Sequence, residues 1–133
     1  MDAKPEPASA QSESQPGEPR RVLFIITGDP RSNRRPAEAI RIAAGVGVWK
    51  RARITIYLRD AAVLALSEHS DGLVDEEHYR RYFPLTRESG SPVYVQGGAA
   101  CLAHIGQTQF QFEEIDDTDL ARLAGQHQYV LRF

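Results

Sequence analysis

The chain has 133 residues, 41% of them hydrophobic and 26% charged, which is the make-up of one ordinary globular domain. Its formal net charge of −2 gives no broad basic surface, so we do not expect it to bind nucleic acid. The single cysteine excludes an intramolecular disulfide and argues against a cysteine-based zinc site. No stretch approaches the roughly 20 apolar residues of a membrane span and no signal-like segment is present, so the sequence predicts a cytoplasmic protein.

Residues 1–19 form the first distinct segment. They are rich in Pro, Glu, Ser, Gln and Ala, and they include no aromatic and no β-branched residue. Such a segment buries too little apolar area to offset the entropy that is lost when it becomes ordered. We therefore expect a disordered N-terminal tail over residues 1–19 and a single folded domain over residues 20–133.

The first half of the domain alternates between strand-like and helix-like patterns. Residues 22–26 are a continuous apolar run, which is typical of a strand covered on both faces. A loop rich in Gly, Pro, Asn and Arg follows at 28–35, and then a helix with Pro36 near its start, which fades in a Gly-Val-Gly segment. β-branched residues predict a second strand over 52–58, followed by a short helix over 59–68.

The second half continues this alternation less regularly. A helix begins near Asp75 and is predicted to stop or kink at Pro84, because proline removes one hydrogen bond and clashes with the preceding turn. The remaining elements are a strand at 92–95, a helix from about Gly98 to Gly106, an extended segment at 110–115, a helix at 117–125 capped by Asp117 or Thr118, and a strand at 128–133.

The alternation of strands and helices indicates both a fold and the place of a site. It predicts an α/β domain with a mostly parallel sheet of about five strands and helices on both faces. In such a sheet, ligands bind beyond the carboxyl ends of the strands. The loops at 28–35 and 96–100 follow the first and third predicted strands, so they are the candidate site.

Several catalytic and ligand-binding motifs are missing from the sequence. It contains no GxxxxGK[ST] phosphate loop and no GxSxG nucleophile motif. The GxG at 45–47 closes a predicted helix and lacks the third glycine of a dinucleotide-binding motif. The histidines and carboxylates between residues 67 and 81 match no metal-ligand spacing, and an exposed, charge-paired helix accounts for them. We therefore predict neither a metal nor a cofactor.

Three arginines lie in the first candidate loop, namely Arg31, Arg34 and Arg35. A guanidinium group binds anions through two parallel hydrogen bonds, and anions bind at this edge of a parallel sheet. Arginines on a surface loop are also commonly solvated without any ligand. Both interpretations stay open from the residues alone.

Cys101 lies beside the second candidate loop. If a helix begins near Gly98, Cys101 falls in its first turn, where unpaired N–H groups and the helix dipole stabilise a thiolate. His104, three residues on, shares that helical face and would favour the thiolate further when charged. Alternatively, Cys101 packs with Leu102 and Ile105 as a small hydrophobic residue. The residues alone do not decide between the two.

Four blocks of the domain occur in an order and with an apolar pattern that a known family shares. They are "VLFIITGDPRSNRRPAEAIRIAAGV", "ITIYLRDAAVLAL", "VYVQGGAACLAHIG" and "QYVLRF". Over residues 21–133 the chain resembles the DsrE/DsrF-like family of small sulfur-relay proteins, which includes the TusBCD subunits. This resemblance implies a single flavodoxin-like three-layer domain that assembles into trimers or hexamers. In active members, it also implies a persulfide on a cysteine just after the third strand.

The resemblance gives Cys101 an unusual position. Many members read Cys-x-x-Cys or a single Cys, followed by a helix that ends in Arg-Gly. With Gly106 on the family's glycine, Cys101 matches the second cysteine, and Ile105 replaces the arginine. The usual sulfur-carrying position falls at about Gly98. Without a second thiol, sulfur would be released to a cysteine of another protein, which favours a carrier over a self-resolving redox enzyme.

The leading hypothesis is a cytoplasmic sulfur carrier or sulfurtransferase with a persulfide on Cys101, whose thiol His104 tunes. Its partners would be copies of the chain in a homo-oligomer, related subunits, and a sulfur donor or acceptor protein. Two groups are expected to stabilise the thiolate or contact an anionic sulfur species: the backbone amides of Gly97, Gly98 and Ala99, and the side chains of Arg31, Arg34 and Arg35. Two alternatives stay open, a catalytically silent scaffold subunit with an inert Cys101, and an anion-binding module that uses the same two loops.

Overall fold

The computed structural model describes residues 18–49 and 51–133. Most of the predicted tail, residues 1–17, lies outside the described residues, so its disorder stays a prediction. Glu18 and Pro19 precede the first strand without regular secondary structure. Within the described residues, no helix is both long enough and apolar enough to span a membrane.

Strands and helices alternate along the described chain, as the sequence patterns predicted. The strands are β1 (Arg20–Ile26), β2 (Ala52–Leu58), β3 (Val93–Gln96), β4 (Glu113–Ile115) and β5 (Tyr129–Arg132). The α-helices are α1 (Arg35–Gly47), α2 (Glu76–Glu88) and α3 (Asp117–Gly125). Two 3₁₀ helices cover Asp60–Leu66 and Ala100–His104.

The five strands form one parallel sheet in the order β4-β3-β2-β1-β5. β1 and β2 pair along their whole lengths, with Phe24 beside Ile56. β2, β3 and β4 are added one after another on the same side of β1. The chain then crosses back, and β5 pairs on the other side of β1. This arrangement confirms the predicted α/β fold of the flavodoxin-like type.

The two faces of the sheet bury different helices. On one face, Phe24 and Ile56 pack with α1, α2 and the first 3₁₀ helix to form the main core, which includes the fully buried Phe83 of α2. On the other face, Leu23 and Tyr57 pack against α3. Successive side chains of a strand point to opposite faces, which explains this division. The domain therefore has three layers.

The structure differs from the prediction in three of the helices. The segments after β2 and after β3 are short 3₁₀ helices, the tighter form that proteins use for brief connections. Of the two outcomes predicted at Pro84, a stop or a kink, the structure excludes the stop, because α2 continues to Glu88. Phe83 and Thr86, on either side of the proline, are both buried, so packing stabilises the helix where local propensity would end it.

The cap of α3 is Asp116, one residue before the positions that the sequence suggested. Its carboxylate accepts a hydrogen bond from the backbone N–H of Asp119 at 2.7 Å. The Asp119 side chain accepts one in return from the backbone N–H of Asp116, which completes a capping box. Asp117 is free of this role and pairs with Arg59 instead.

We predict that Asp116→Ala lowers the free energy of unfolding by about 1 kcal/mol, because the first turn of α3 loses its cap. Thr118→Ala, at an exposed position that the sequence also offered as a cap, should change it by less than about 0.5 kcal/mol. Urea unfolding followed by circular dichroism measures both variants. Equal losses would contradict the capping role of Asp116.

Candidate functional site

The segments that follow β1, β2 and β3 meet at the carboxyl edge of the sheet. Hydrogen bonds connect them: the Arg59 amide donates to the Ile26 carbonyl oxygen (2.9 Å), and the Asp60 amide donates to the side-chain oxygen of Gln96 (2.9 Å). Parallel strands end at a common edge, so the loop after β1 comes near the segment that contains Cys101.

Cys101 is the second residue of the short 3₁₀ helix after β3. Its side chain is half-buried and packs against the main core. The helix has only five residues, so few peptide dipoles align behind the thiol. The dipole effect that the sequence suggested is correspondingly weak.

The backbone amides that were expected to stabilise the thiolate are already occupied. Each donates to a protein oxygen atom: Gly97 to the Ile115 carbonyl (2.9 Å), Gly98 to the Glu114 carboxylate (3.3 Å) and Ala99 to the Gln96 carbonyl (3.2 Å). Within the described chain, the amides of Ala100 and Cys101 donate to no such oxygen. These two N–H groups are therefore the ones left for an anion at the thiol.

Arg31, in the first loop, interacts electrostatically with Cys101. Its Nε and Nη2 atoms donate to the Asp29 carboxylate at 3.0 and 2.9 Å. Asp29 raises the pKa of Arg31, and a thiolate at Cys101 adds a smaller effect in the same direction. The guanidinium group therefore lies within electrostatic range of the sulfur. In turn, the hydrogen bonds from Arg31 lower the pKa of Asp29.

The other two arginines of the loop extend elsewhere. Arg34 pairs with Asp75, just before α2, at 3.6 Å. Arg35 donates to the Arg132 carbonyl oxygen at 3.3 Å, and its guanidinium carbon lies 5.7 Å from the ring centroid of Phe133. The three arginines that the sequence grouped together thus do not converge on one anion.

His104 and Arg31 line a common cavity of about 620 Å³, to which Glu68 and His69 also contribute. Residues three apart eclipse each other on a 3₁₀ helix, so His104 lies on the same side as Cys101. Cys101 itself does not line this cavity. In the described part of the chain, no group of three or more His, Cys, Asp or Glu side chains is arranged to hold a metal ion.

Glu68 holds the far end of the Cys101 segment, a role that the sequence did not reveal. Its amide donates to the Ile105 carbonyl oxygen (2.7 Å), and its carboxylate accepts from the Gln107 amide (3.1 Å). Gly106 lies between them with a φ of +70°, and a Cβ there would approach the Glu68 carboxylate to 2.8 Å. Glycine is therefore required by conformation and by space.

The segment after β2 also belongs to this edge, although the sequence pointed only to the first and third loops. Arg59 donates to the Tyr57 hydroxyl (3.0 Å) and to the Asp117 carboxylate (2.9 Å). Asp60 has a left-handed backbone with a φ of 54°, a strained conformation that is common near functional sites. Both residues directly follow β2. Ligands bind beyond the carboxyl ends of parallel strands, and the same rule applied to β2 would have identified Arg59 and Asp60.

Comparison with known proteins supports the fold. The crystal structure of the YchN protein from E. coli, a protein with a DsrE/TusB-like fold, superposes with a TM-score of 0.68 and 15% sequence identity. The match covers 86% of this chain and 99% of that one. No family model and no curated protein sequence matches the chain. At this identity the similarity shows that the two proteins share a fold and leaves activity to the site itself.

We predict that Arg31→Gln raises the pKa of Asp29 toward its ordinary value of 3.8, because the carboxylate loses two side-chain hydrogen bonds and a neighbouring charge. Asp29 keeps the hydrogen bond from the backbone N–H at position 31, so the rise should be partial. An NMR titration of the Asp29 carboxyl group measures the change. Arg41→Gln, which breaks the pair with Glu38, is the control and should leave Asp29 unchanged.

The same pair predicts the direction of a pH effect on stability. A lowered carboxyl pKa adds stability above its ordinary value, and that contribution disappears as the pH falls through the lowered pKa. Arg31→Gln should therefore be less stable than wild type at neutral pH and equally stable in acid. A stability difference that persists in acid would show that Arg31 acts through something other than Asp29.

Proposed function

We propose that the chain is a DsrE-like sulfur carrier that acts in the cytoplasm and forms a persulfide on Cys101. One observation carries this function: the single cysteine follows the third strand of a DsrE-like fold, with the Arg31 guanidinium in electrostatic range. A sulfur carrier needs a thiolate, and a nearby fixed cation stabilises that anion. Asp29 fixes the cation, because it binds two nitrogen atoms of Arg31.

The transfer step is a thiol–persulfide exchange. The Cys101 thiolate attacks the terminal sulfur of a donor persulfide, a new S–S bond forms at Cys101, and the S–S bond of the donor breaks. The donor leaves as a thiolate with the electron pair of the broken bond, so the step involves no net oxidation. Delivery is the same exchange with the thiolate of an acceptor protein as the nucleophile, because this chain has no second cysteine.

His104 and the cavity beside it have complementary roles in this function. His104 lies on the same side of the 3₁₀ helix as the thiol, where an imidazole accepts the thiol proton and later returns it. The cavity of about 620 Å³ that His104 and Arg31 line does not include Cys101, so its role is to accommodate part of the donor protein beside the thiol. The free amides of Ala100 and Cys101 add donors for the anionic sulfur.

Incubation with a cysteine desulfurase and cysteine should add one sulfur atom to the wild-type chain and none to Cys101→Ala. Mass spectrometry of the intact protein measures the adduct. Arg31→Gln should slow loading, because it removes a positive charge that favours the anionic sulfur at Cys101. Arg41→Gln removes an arginine from α1, outside the site, and should load at the wild-type rate.

A second function, that of a catalytically silent scaffold subunit, draws support from the packing of Cys101 against the main core. In that case, the wild-type chain takes up no sulfur from the desulfurase. A thiol-specific reagent would then label Cys101 only after unfolding. Both results together would replace the sulfur-carrier function with the scaffold function.

We also propose that copies of the chain, or related subunits, associate through the β5 edge. Among the described strands, β5 pairs with β1 alone, so its outer side presents unpaired backbone donors and acceptors. Three consecutive apolar residues of this strand are substantially exposed: Tyr129 (53%), Val130 (38%) and Leu131 (41%). An apolar edge strand is an energetic liability unless another chain covers it.

Light scattering coupled to size exclusion should give a wild-type mass of two or more times the protomer mass. Leu131→Asp should lower that mass toward the protomer, since it places a charge in the covered strand. Val48→Asp changes a comparably exposed residue at the end of α1 and should keep the wild-type mass. A strictly monomeric wild-type protein would contradict association through β5.

A further inference from the structure

A second and larger cavity, of about 720 Å³, lies at the opposite edge of the sheet, where β1, β2 and β3 begin. Its walls come from these strand starts, from the end of α3 and from the turn after α2. The polar residues that line it include Arg21, Arg53, Thr55, Ser91, Tyr94 and His127. The sulfur-carrier function uses none of them.

This cavity is positively charged. Arg21 and Arg53 are partners in the register of β1 and β2, so their side chains leave the same face of the sheet next to each other. Within residues 18–49 and 51–133, neither guanidinium pairs with a carboxylate, and the lining includes no Asp or Glu. Two like charges in neighbouring positions repel each other, so an anion between them would stabilise the arrangement.

Both guanidinium groups have N–H donors that bind no acceptor among the described residues. The Nε atom of Arg21 donates to the Gln126 carbonyl oxygen at 2.6 Å, which leaves both Nη atoms without an acceptor among the described residues. The Arg53 side chain makes no hydrogen bond to any described residue, so its whole guanidinium is free. A guanidinium with two free N–H groups on one edge binds an anion in a bidentate manner.

The carboxyl end of α3 faces this cavity, and hydrogen bonds to its carbonyl groups reduce the repulsion that it would exert on an anion. His127 donates from Nδ1 to the Leu123 carbonyl oxygen at 2.7 Å, since a carbonyl oxygen only accepts. Its Nε2 atom lies 2.9 Å from the Thr55 hydroxyl. The carbonyl of Leu123, in the last turn of α3, and that of Gln126, just after the helix, thus accept from His127 and Arg21, which offset the negative end of the helix dipole.

The charge and the lining together select a class of ligand. A phosphate monoester carries about −1.5 to −2 charges at neutral pH and three acceptor oxygens, which suits two guanidinium groups better than a singly charged carboxylate does. The hydroxyl groups of Ser91 and Tyr94 are further donors in the same cavity. Ala52, Pro92 and Leu123 add apolar surface, and the volume lies in the range of small-molecule sites, so an organic group fits beside the phosphate.

We propose that this cavity binds a small organic phosphate monoester, with Arg21 and Arg53 holding the phosphate group. The cavity lies at the amino edge of the sheet and Cys101 at the carboxyl edge. Binding of a ligand in this cavity therefore does not depend on the sulfur chemistry at Cys101. The function of the chain would include recognition of a phosphorylated metabolite at a site of its own.

Titration with ribose 5-phosphate at constant ionic strength, followed by backbone amide shifts in NMR spectra, tests this site. We expect saturable shifts at Arg53, Thr55 and Ser91 in the wild-type protein.

Arg53→Gln should weaken binding by at least about tenfold, because it removes a charge-assisted pair of hydrogen bonds. Arg53→Lys, which keeps the charge without the bidentate geometry, should weaken it less. Arg51→Gln removes an exposed charge outside the cavity lining and should weaken binding by less than about twofold.

Wild-type spectra without saturable shifts would overturn the site. Equal weakening by Arg51→Gln and Arg53→Gln would also overturn it, because it would indicate diffuse attraction to a basic edge. Acetate that binds as tightly as ribose 5-phosphate would overturn the phosphate class. Cys101→Ala should bind ribose 5-phosphate like wild type, so a failure of sulfur loading and a failure of this site are separate results.

Discussion

The parallel pairing of β1 with β2 is the constraint on which the rest of the structure depends. The two strands pair residue by residue along their whole lengths, and both faces of β1 are buried from Val22 to Ile26. Parallel neighbours need a crossover connection, so the chain places a helix between successive strands and covers both faces of the sheet. The main core then forms where Phe24 and Ile56 meet α1 and α2.

The same pairing gives the sheet two chemically different edges. At the carboxyl edge, the thiol of Cys101 is half-buried, and the nearby Arg31 charge is shared with Asp29. That edge suits a reaction in which a single negative charge develops on sulfur. At the amino edge, Arg21 and Arg53 have no carboxylate partner in the described chain, which suits tighter binding of a more highly charged anion. The proposed sulfur chemistry and the proposed anion site thus use different groups.

Elements with a strong local signal were predicted well from sequence. Buried parallel strands are continuous apolar runs, so β1 and β2 were evident, and the helix predicted at 117–125 has the bounds of α3. Prediction failed where packing outweighs propensity. α2 continues through Pro84 because buried side chains flank the proline, and the segment after Gly98 tightens into a 3₁₀ helix that weakens the expected dipole.

By itself, the sequence determined the alternation of strands and helices, and with it the parallel sheet and the edge at which Cys101 lies. These properties depend on the spacing of apolar residues along the chain, which is local information. Only the tertiary structure decided that Arg34 and Arg35 pair with residues other than Cys101, that the amides of Gly97 to Ala99 are occupied, and that Arg21 and Arg53 share a cavity. Each of these facts depends on where a side chain or an amide finds its partner across separate elements, which no spacing in the sequence specifies.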